Sequence, residues 1–200
     1  MRLSLPILFL LAAAALPAAA EGPAPLRQAA ISAELYARGL ATGDALLILT
    51  AARLRKDLDL RPAEGEADLP LDWQAMLAAA EPLIADDSAL QALADDIAAE
   101  APKGVSTGPV YRITALTPGV MDHSLSLDFK GGEYAEVYVE AALGTDLNLS
   151  VRDERGNLIC ADTEGLHVGY CTWTPAADGS FTVTVQADSP AASEYTLMTN

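Results

Sequence analysis

Residues 146–162 read DLNLSVRDERGNLICAD, and residues 179–185 read GSFTVTV. Leu147, Leu149 and Val151 alternate with Asn148, Ser150 and Arg152, and Phe181, Val183 and Val185 alternate with Ser180, Thr182 and Thr184. A period of two is that of a half-buried antiparallel strand. Arg155-Gly156-Asn157 divides the first stretch and Asp178-Gly179 precedes the last; Gly and Asn tolerate the positive φ of tight turns. This stretch decides the fold class of the second half of the chain.

Working outward, the same period holds from Val110 to the end. It predicts strands over 110–116, 123–129, 134–142, 146–152, 158–161, 167–173, 180–186 and 194–198. Turn signals stand between them at Thr117-Pro-Gly119, Lys130-Gly-Gly132, Gly144-Thr145 and Asp188-Ser-Pro190. Short strands at this spacing predict a two-sheet β-sandwich or jelly roll.

The order of these features resembles the bacterial pre-peptidase C-terminal domain. The residues that carry the resemblance are Gly131-Gly-Glu133, Val137-Tyr-Val139, Asp146-Leu-Asn-Leu149, Val151-Arg-Asp153, Gly156-Asn157, Asp162, Gly179 to Val185 and Tyr195-Thr-Leu197. The resemblance implies a β-sandwich of the kind appended to secreted peptidases, with an accessory or binding role. Of the family's Asp-x-Asp-Leu motif, Thr145-Asp-Leu-Asn148 keeps only part. No peptidase motif stands in the half that precedes it.

That preceding half changes period. Leu26, Ala30, Ala33 and Ala37 predict a helix over 26–39, and Gly39 and Gly43 bracket a tight connection. Asp44 is the expected N-cap of a second helix to about Asp57, with Arg53, Arg55 and Lys56 in its last turn, where the helix dipole favours cations. Residues 60–71 read as a loop. A third helix starts at Asp72, carries Trp73, Met76, Leu77 and Ala80 on one face, and should end or kink at Pro82. Ser88 and Gln91 form an expected capping box for a fourth, with Leu90, Leu93, Ala94 and Ile97 facing inward. The expectation is an α+β chain of two domains: a small bundle of about four helices over 21–102, a linker over 103–109 within the Pro/Gly-rich stretch APKGVSTGP, and the antiparallel β-sandwich over 110–200.

The N-terminus reads as a secretory signal over 1–20. Arg2 precedes an apolar run, and Pro17-Ala-Ala-Ala20 supplies a small-residue cleavage site, expected after Ala20. The run is short of the ~20 residues that a spanning helix needs, so the chain is not expected to span a membrane. A periplasmic or secreted location follows. The formal net charge of −16 is spread over both halves. Such a surface repels phosphate backbones and disfavours nucleic acid as a partner.

Two cysteines in an exported chain favour a disulfide between Cys160 and Cys171. Asp146, Asn148, Asp153 and Asp162 offer the oxygen ligands that Ca²⁺ takes, set against the plain reading of turn residues bonding locally. Calcium is the one cofactor considered. Tyr134, Tyr138, Tyr170 and Trp173 are candidates for an aromatic binding strip, set against core packing.

Gly104-Val-Ser106-Thr-Gly108 matches G-x-S-x-G but lacks the strand-turn-helix context of a nucleophile elbow. His123 and His167 are the only histidines, each expected at a strand surface or rim, and neither has a second His at ligand spacing. Asn148-Leu-Ser150 is a glycosylation sequon inside a predicted strand, read as chance. The expected function is a non-enzymatic exported accessory or binding protein of the bacterial envelope, with an envelope or secreted protein or a polysaccharide as partner. The alternative is a secreted hydrolase with a site between the helical and β halves.

Overall fold

The computed structural model describes residues 24–58, 60–65, 69, 71–100, 109–115, 122–187 and 194–200. The expected signal segment, nearly all of the expected linker and the G-x-S-x-G match lie outside those residues. Four helices come first: α1 (Pro25–Thr42), α2 (Ala45–Lys56), α3 (Trp73–Ile84) and α4 (Ser88–Ala99). A two-residue strand, β1 (Arg61–Pro62), lies between α2 and α3. Then follow β2 (Val110–Ala115), β3 (Asp122–Phe129), β4 (Ala135–Ala141), β5 (Leu147–Arg152), β6 (Leu158–Leu166), β7 (Val168–Trp173), β8 (Gly179–Ala187) and β9 (Glu194–Thr199). The class is α+β, with a helical N-terminal part and a β-sandwich.

Three helices begin at aspartates. Asp44 accepts from the amides of Leu46 and Leu47, Asp72 from Ala75, and Asp87 from Ala89 and Leu90. The cap of α4 is therefore Asp87 and not Ser88, because a carboxylate accepts these charge-assisted bonds better than a hydroxyl. Gln91 turns the other way and donates to the carbonyls of Ile84 and Ala85, closing the end of α3. Helix α3 passes through Pro82 and ends two residues later, at Ile84, so the proline takes one N–H bond from the last turn and the helix stops soon after it. Gly39 does not end α1. It lies inside the helix where a Cβ would stand 2.7 Å from Ile48 Cγ1, so it permits α1 and α2 to pack closely. Gly43, with φ of 66°, is the C-cap.

The two sheets run β1-β2-β9-β4-β7 and β3-β8-β5-β6. The stretch 60–71, expected as loop, supplies β1, which pairs in parallel with β2. The amides of Arg61 and Ala63 donate to Pro109 O and Tyr111 O, on either side of Pro62. A proline fits there because β1 is an edge strand and its missing N–H interrupts no ladder. Strand β6 runs on to Leu166, beyond its expected end, and a single residue, His167, separates it from β7 in the other sheet.

Three apolar cores form among the described residues. Val137, Val139, Leu147, Leu149, Val151, Val183, Val185, Tyr195 and Leu197 fill the space between the sheets. Ile48, Leu49, Met76, Ala80 and Ile97 fill the helices. The third joins the two parts: Leu26, Ala29, Ala33 and Leu58 pack on Tyr111, Tyr138, Val168 and Met198. The helices thus cover the outer face of the five-stranded sheet. The outer face of the four-stranded sheet carries Ser124, Ser126, Asn148, Ser150, Thr182 and Thr184, with Ser124 bonded to Thr184 across the strands.

Cys160 and Cys171 are bonded, with Cα atoms 5.9 Å apart. Cys160 lies on β6 and Cys171 on β7, so the bridge ties an edge of one sheet to an edge of the other. Replacing both cysteines by serine is expected to lower stability by about 2–3 kcal/mol in denaturant melts, since only a short loop is closed. A loss below a few tenths of a kcal/mol would contradict a clasp between the sheets.

Candidate functional site

Strand β4 reads AEVYVEA, and the period of two sends Val137 and Val139 into the sandwich. Glu136, Tyr138 and Glu140 therefore point at the helices, and all three are buried. Two buried carboxylates on one strand face need partners, because an unpaired buried charge is strongly unfavourable. Both find them on the α1–α2 hairpin.

Glu140 forms a two-pronged ion pair with Arg55 near the end of α2, at 2.8 and 3.1 Å. The side chains are 2% and 6% exposed. Burial alone would lower the Arg55 pKa, but the Glu140 charge outweighs it and the guanidinium ends above its usual value. The Tyr138 hydroxyl is buried beside this pair without a hydrogen-bond partner of good geometry. Its pKa is pushed up by burial and by Glu140. Glu136 accepts from the amide of Leu26 at 3.4 Å and from the Tyr170 hydroxyl at 2.5 Å. Helix α1 has no capping side chain of its own at Ala24, so this carboxylate from the sheet serves the helix N-terminus. Burial raises the Glu136 pKa, against the opposing bonds from Tyr170 and the first amides of α1.

The other cations of α2 have separate partners. Lys56 donates to the carbonyls of Ile97 and Ala98 at the end of α4 and stands 4.1 Å over the Trp73 ring. Arg53 pairs with Glu100 at 2.9 Å on the surface.

Beside the Arg55–Glu140 pair lies a cleft of about 370 Å³ between the helical part and the sandwich. Tyr36, Leu71, Ile113 and Leu143 form apolar walls, and Glu140, His167, Glu194 and Thr196 supply polar groups. His167 Nε2 is buried and makes no hydrogen bond among the described residues. Desolvation lowers the His167 pKa; Glu140 and Glu34 pull it up and Arg55 pulls it down. The ring is thus held neutral near pH 7.

The residues singled out in the sequence are distributed as follows. Tyr134, Tyr138 and Tyr170 share the helix-facing side of the sheet, with the Tyr134 and Tyr170 hydroxyls 3.5 Å apart. Trp173 is on the opposite face, packed on Phe129 and Phe181 inside the sandwich. The four do not form one strip. Parity separates Trp173 from Tyr170, three residues earlier on the same strand.

Asp146 and Asp153 flank β5 at opposite ends, about 20 Å apart along an extended chain. Asp153 closes the β5–β6 turn by accepting from the amides of Arg155 and Asn157 and from the Asn157 side chain, and the Asn157 bond leads in holding its pKa down. Asp162 accepts from the amides of Glu164 and Tyr170. Asn148 lies opposite Gln186 on the outer face. The structure does not bring the four to one point, and among the described residues no cluster of three or more His, Cys, Asp or Glu is placed to hold a metal. His123 is partly buried and shares a 2.6 Å hydrogen bond with the Tyr195 hydroxyl, whose pKa burial pushes up to about 12.

Glu136, Glu140 and the role of Arg55 were not legible as a site. In the sequence only Tyr134 and Tyr138 stood out on this face, as part of a binding strip or of the core. The available signals were an uncapped α1 and two helices with apolar faces that needed a surface to cover.

No protein-family model matches this chain. No curated protein matches it either. Solved structures similar to it include the pre-peptidase C-terminal domain of a Bacillus anthracis collagenase, 12% identical over 45% of this chain and 87% of that one, with a TM-score of 0.37. They also include Aeromonas hydrophila PliG, a periplasmic inhibitor of g-type lysozyme, 14% identical over 42% of this chain and 90% of that one, with a TM-score of 0.24. The first belongs to the family that the sequence resembles. Likenesses this distant carry no argument about activity.

Glu140→Gln is expected to cost about 3–5 kcal/mol, because it leaves Arg55 buried without its counter-charge. Arg55→Met combined with Glu140→Leu should restore most of that stability. Urea melts of the single and double variants measure the coupling, and additive losses would contradict a buried pair.

His167 gives a pH signature. The unfolded chain takes up its proton near pH 6.5, the folded chain only at lower pH. Between those values the unfolded state binds more protons, so stability is full above pH 6.5 and is lost as pH falls toward the folded value. The melting temperature of the natural protein should therefore fall more between about pH 7 and pH 5 than that of His167→Gln. Parallel curves would contradict a buried neutral ring.

Proposed function

We propose that this chain is an exported, non-enzymatic accessory or binding protein, and that the cleft between helices and sandwich receives an apolar group of a partner protein. One observation carries the reading. Of the two carboxylates that line the cleft, the buried one, Glu140, is already held by Arg55 in a two-pronged pair that fastens the helices to the sheet, and the other, Glu194, is exposed at the start of β9. A general base must be free to take a proton, and the buried carboxylate here is not. What the cleft offers instead is mainly apolar wall, in a volume within the range of about 300–1,000 Å³ that suits small ligands and side chains.

Export is supported by the disulfide and by the N-terminal segment read as a signal. Among the described residues, no helix is long and apolar enough to cross a membrane. The secreted-hydrolase reading retains one favouring observation, the neutral His167 beside the cleft.

A photoreactive phenylalanine analogue placed at position 143, on the cleft wall, tests the proposal in the producing cell. The expected result is one defined crosslinked product that is lost when Ala142→Trp fills the cleft, and that does not form from position 182 on the far sheet. Crosslinks that ignore Ala142→Trp would overturn the binding site. Hydrolysis of an ester or peptide substrate that disappears in His167→Ala would overturn the non-enzymatic reading. Intact-mass analysis of the same protein should show a chain beginning at Glu21; retention of Met1 would remove the export argument.

A further inference from the structure

A second surface lies away from the cleft, on the far side of the helical part. Helices α3 and α4 diverge to leave an outer groove of about 320 Å³. Leu77, Ile84, Ala94 and Ala98 line its apolar floor, with Glu81 of α3 and Asp95 of α4 beside them. Helix α4 buries only Ile97 fully; Leu90, Leu93 and Ala94 pack on the helical core but stay half-buried among the described residues. Leu83 of α3 is 43% exposed and lines a neighbouring depression with Leu90 and Leu46, the last 51% exposed. The two depressions flank the turn between α3 and α4.

Charge says what covers this surface. Residues 72–100 contain Asp72, Glu81, Asp86, Asp87, Asp95, Asp96 and Glu100, and no lysine or arginine. Asp72 and Asp87 are spent on helix caps and Glu100 on Arg53. The side chains of Glu81, Asp86, Asp95 and Asp96 make no ion pair or hydrogen bond among the described residues. An apolar groove between helices takes a third helix, laid by its i, i+3, i+4, i+7 face. Alanines on the floor permit the 8–10 Å approach of helix axes. Free carboxylates on both walls select lysine and arginine at the flanks of that helix and reject acidic ones. A second copy of this chain is a poor occupant, since its own surface is acidic and like charges would meet.

We propose that the α3–α4 groove docks a basic amphipathic helix of another protein. The surface is independent of the cleft, and either can fail without the other.

The test uses the mature protein and a synthetic peptide of about four helical turns, with leucines at i, i+3, i+4 and i+7 and lysines and arginines flanking them. Fluorescence anisotropy should show saturable binding that weakens as salt rises, and amide NMR shifts should map to Ala94, Ala98 and their neighbours. Glu81→Lys with Asp95→Lys is expected to weaken binding by about tenfold or more, through charge reversal at two sites. Ala94→Trp should do the same by filling the floor at unchanged net charge, and Ala142→Trp in the cleft should have no effect. Melting curves of each variant confirm folding. Unchanged affinity in both groove variants, or shifts mapping to another acidic surface, would overturn the proposal. A dimer in sedimentation that is broken by Ala94→Trp, or contacts from residues 101–108 inside the groove, would overturn it too, in favour of a second copy or of the chain's own segment.

Discussion

Two carboxylates on the outer face of one strand fasten the helices to the sandwich. Glu136 and Glu140 stand four residues apart on β4, hence about 13 Å apart on the same face. Helices α1 and α2 are antiparallel, so the start of α1 and the end of α2 lie side by side; Gln28 donating to the Leu54 carbonyl marks that junction. Glu136 meets the N-terminus of α1, where the helix dipole is positive, and Glu140 meets Arg55 near the C-terminus of α2. The sheet thus reads both ends of the hairpin by charge. Desolvating these groups is expensive, and their pairing offsets that cost only in this geometry. Apolar packing of Leu26, Ala29 and Ala33 on Tyr138 and Met198 supplies the bulk of the contact. The paired charges set which helix ends lie where, and the cleft beside Glu140 follows from that placement.

The strands were readable because each has one apolar face, and a one-residue slip would expose it. That is why β3, β5 and β8 start and stop within a residue or so of their expected bounds. The helices were readable from the spacing of their apolar positions and from aspartates such as Asp44. What was not legible is the tertiary fate of polar residues. Nothing local distinguishes Glu140, buried against Arg55, from Glu194, which is exposed at the start of β9. Likewise Arg53, Arg55 and Lys56 sit in one helical turn and make three unrelated contacts. Pairing of β1 with β2 is non-local, and a proline in the strand argued against it until its edge position was known. The aromatic residues failed as a strip for a similar reason. Parity along β7 was visible, but which face of the sheet the helices would cover was not.

The described residues present three kinds of uncovered surface. The cleft at Glu140 is narrow, apolar and built by the junction of both parts. The α3–α4 groove belongs to the helices alone and is bordered by free carboxylates. The outer face of the four-stranded sheet is a third surface, flat and rich in hydroxyl groups already bonded across strands, as between Ser126 and Ser180. Grooves that leave leucines half exposed on a strongly acidic protein favour recognition by contact and charge.

Native-state hydrogen exchange of the mature protein tests the fastening by β4 most directly. If Glu136 and Glu140 join the helices to the sandwich, the amides of Ile48, Leu49 and Ala51 in α2 and of Val137 and Val139 in β4 should exchange through one shared opening, at the free energy of global unfolding. In Glu140→Gln the α2 amides should separate from those of β4 and exchange faster. Helix amides that open independently of β4 in the natural protein, and that are unmoved by Glu140→Gln, would contradict it.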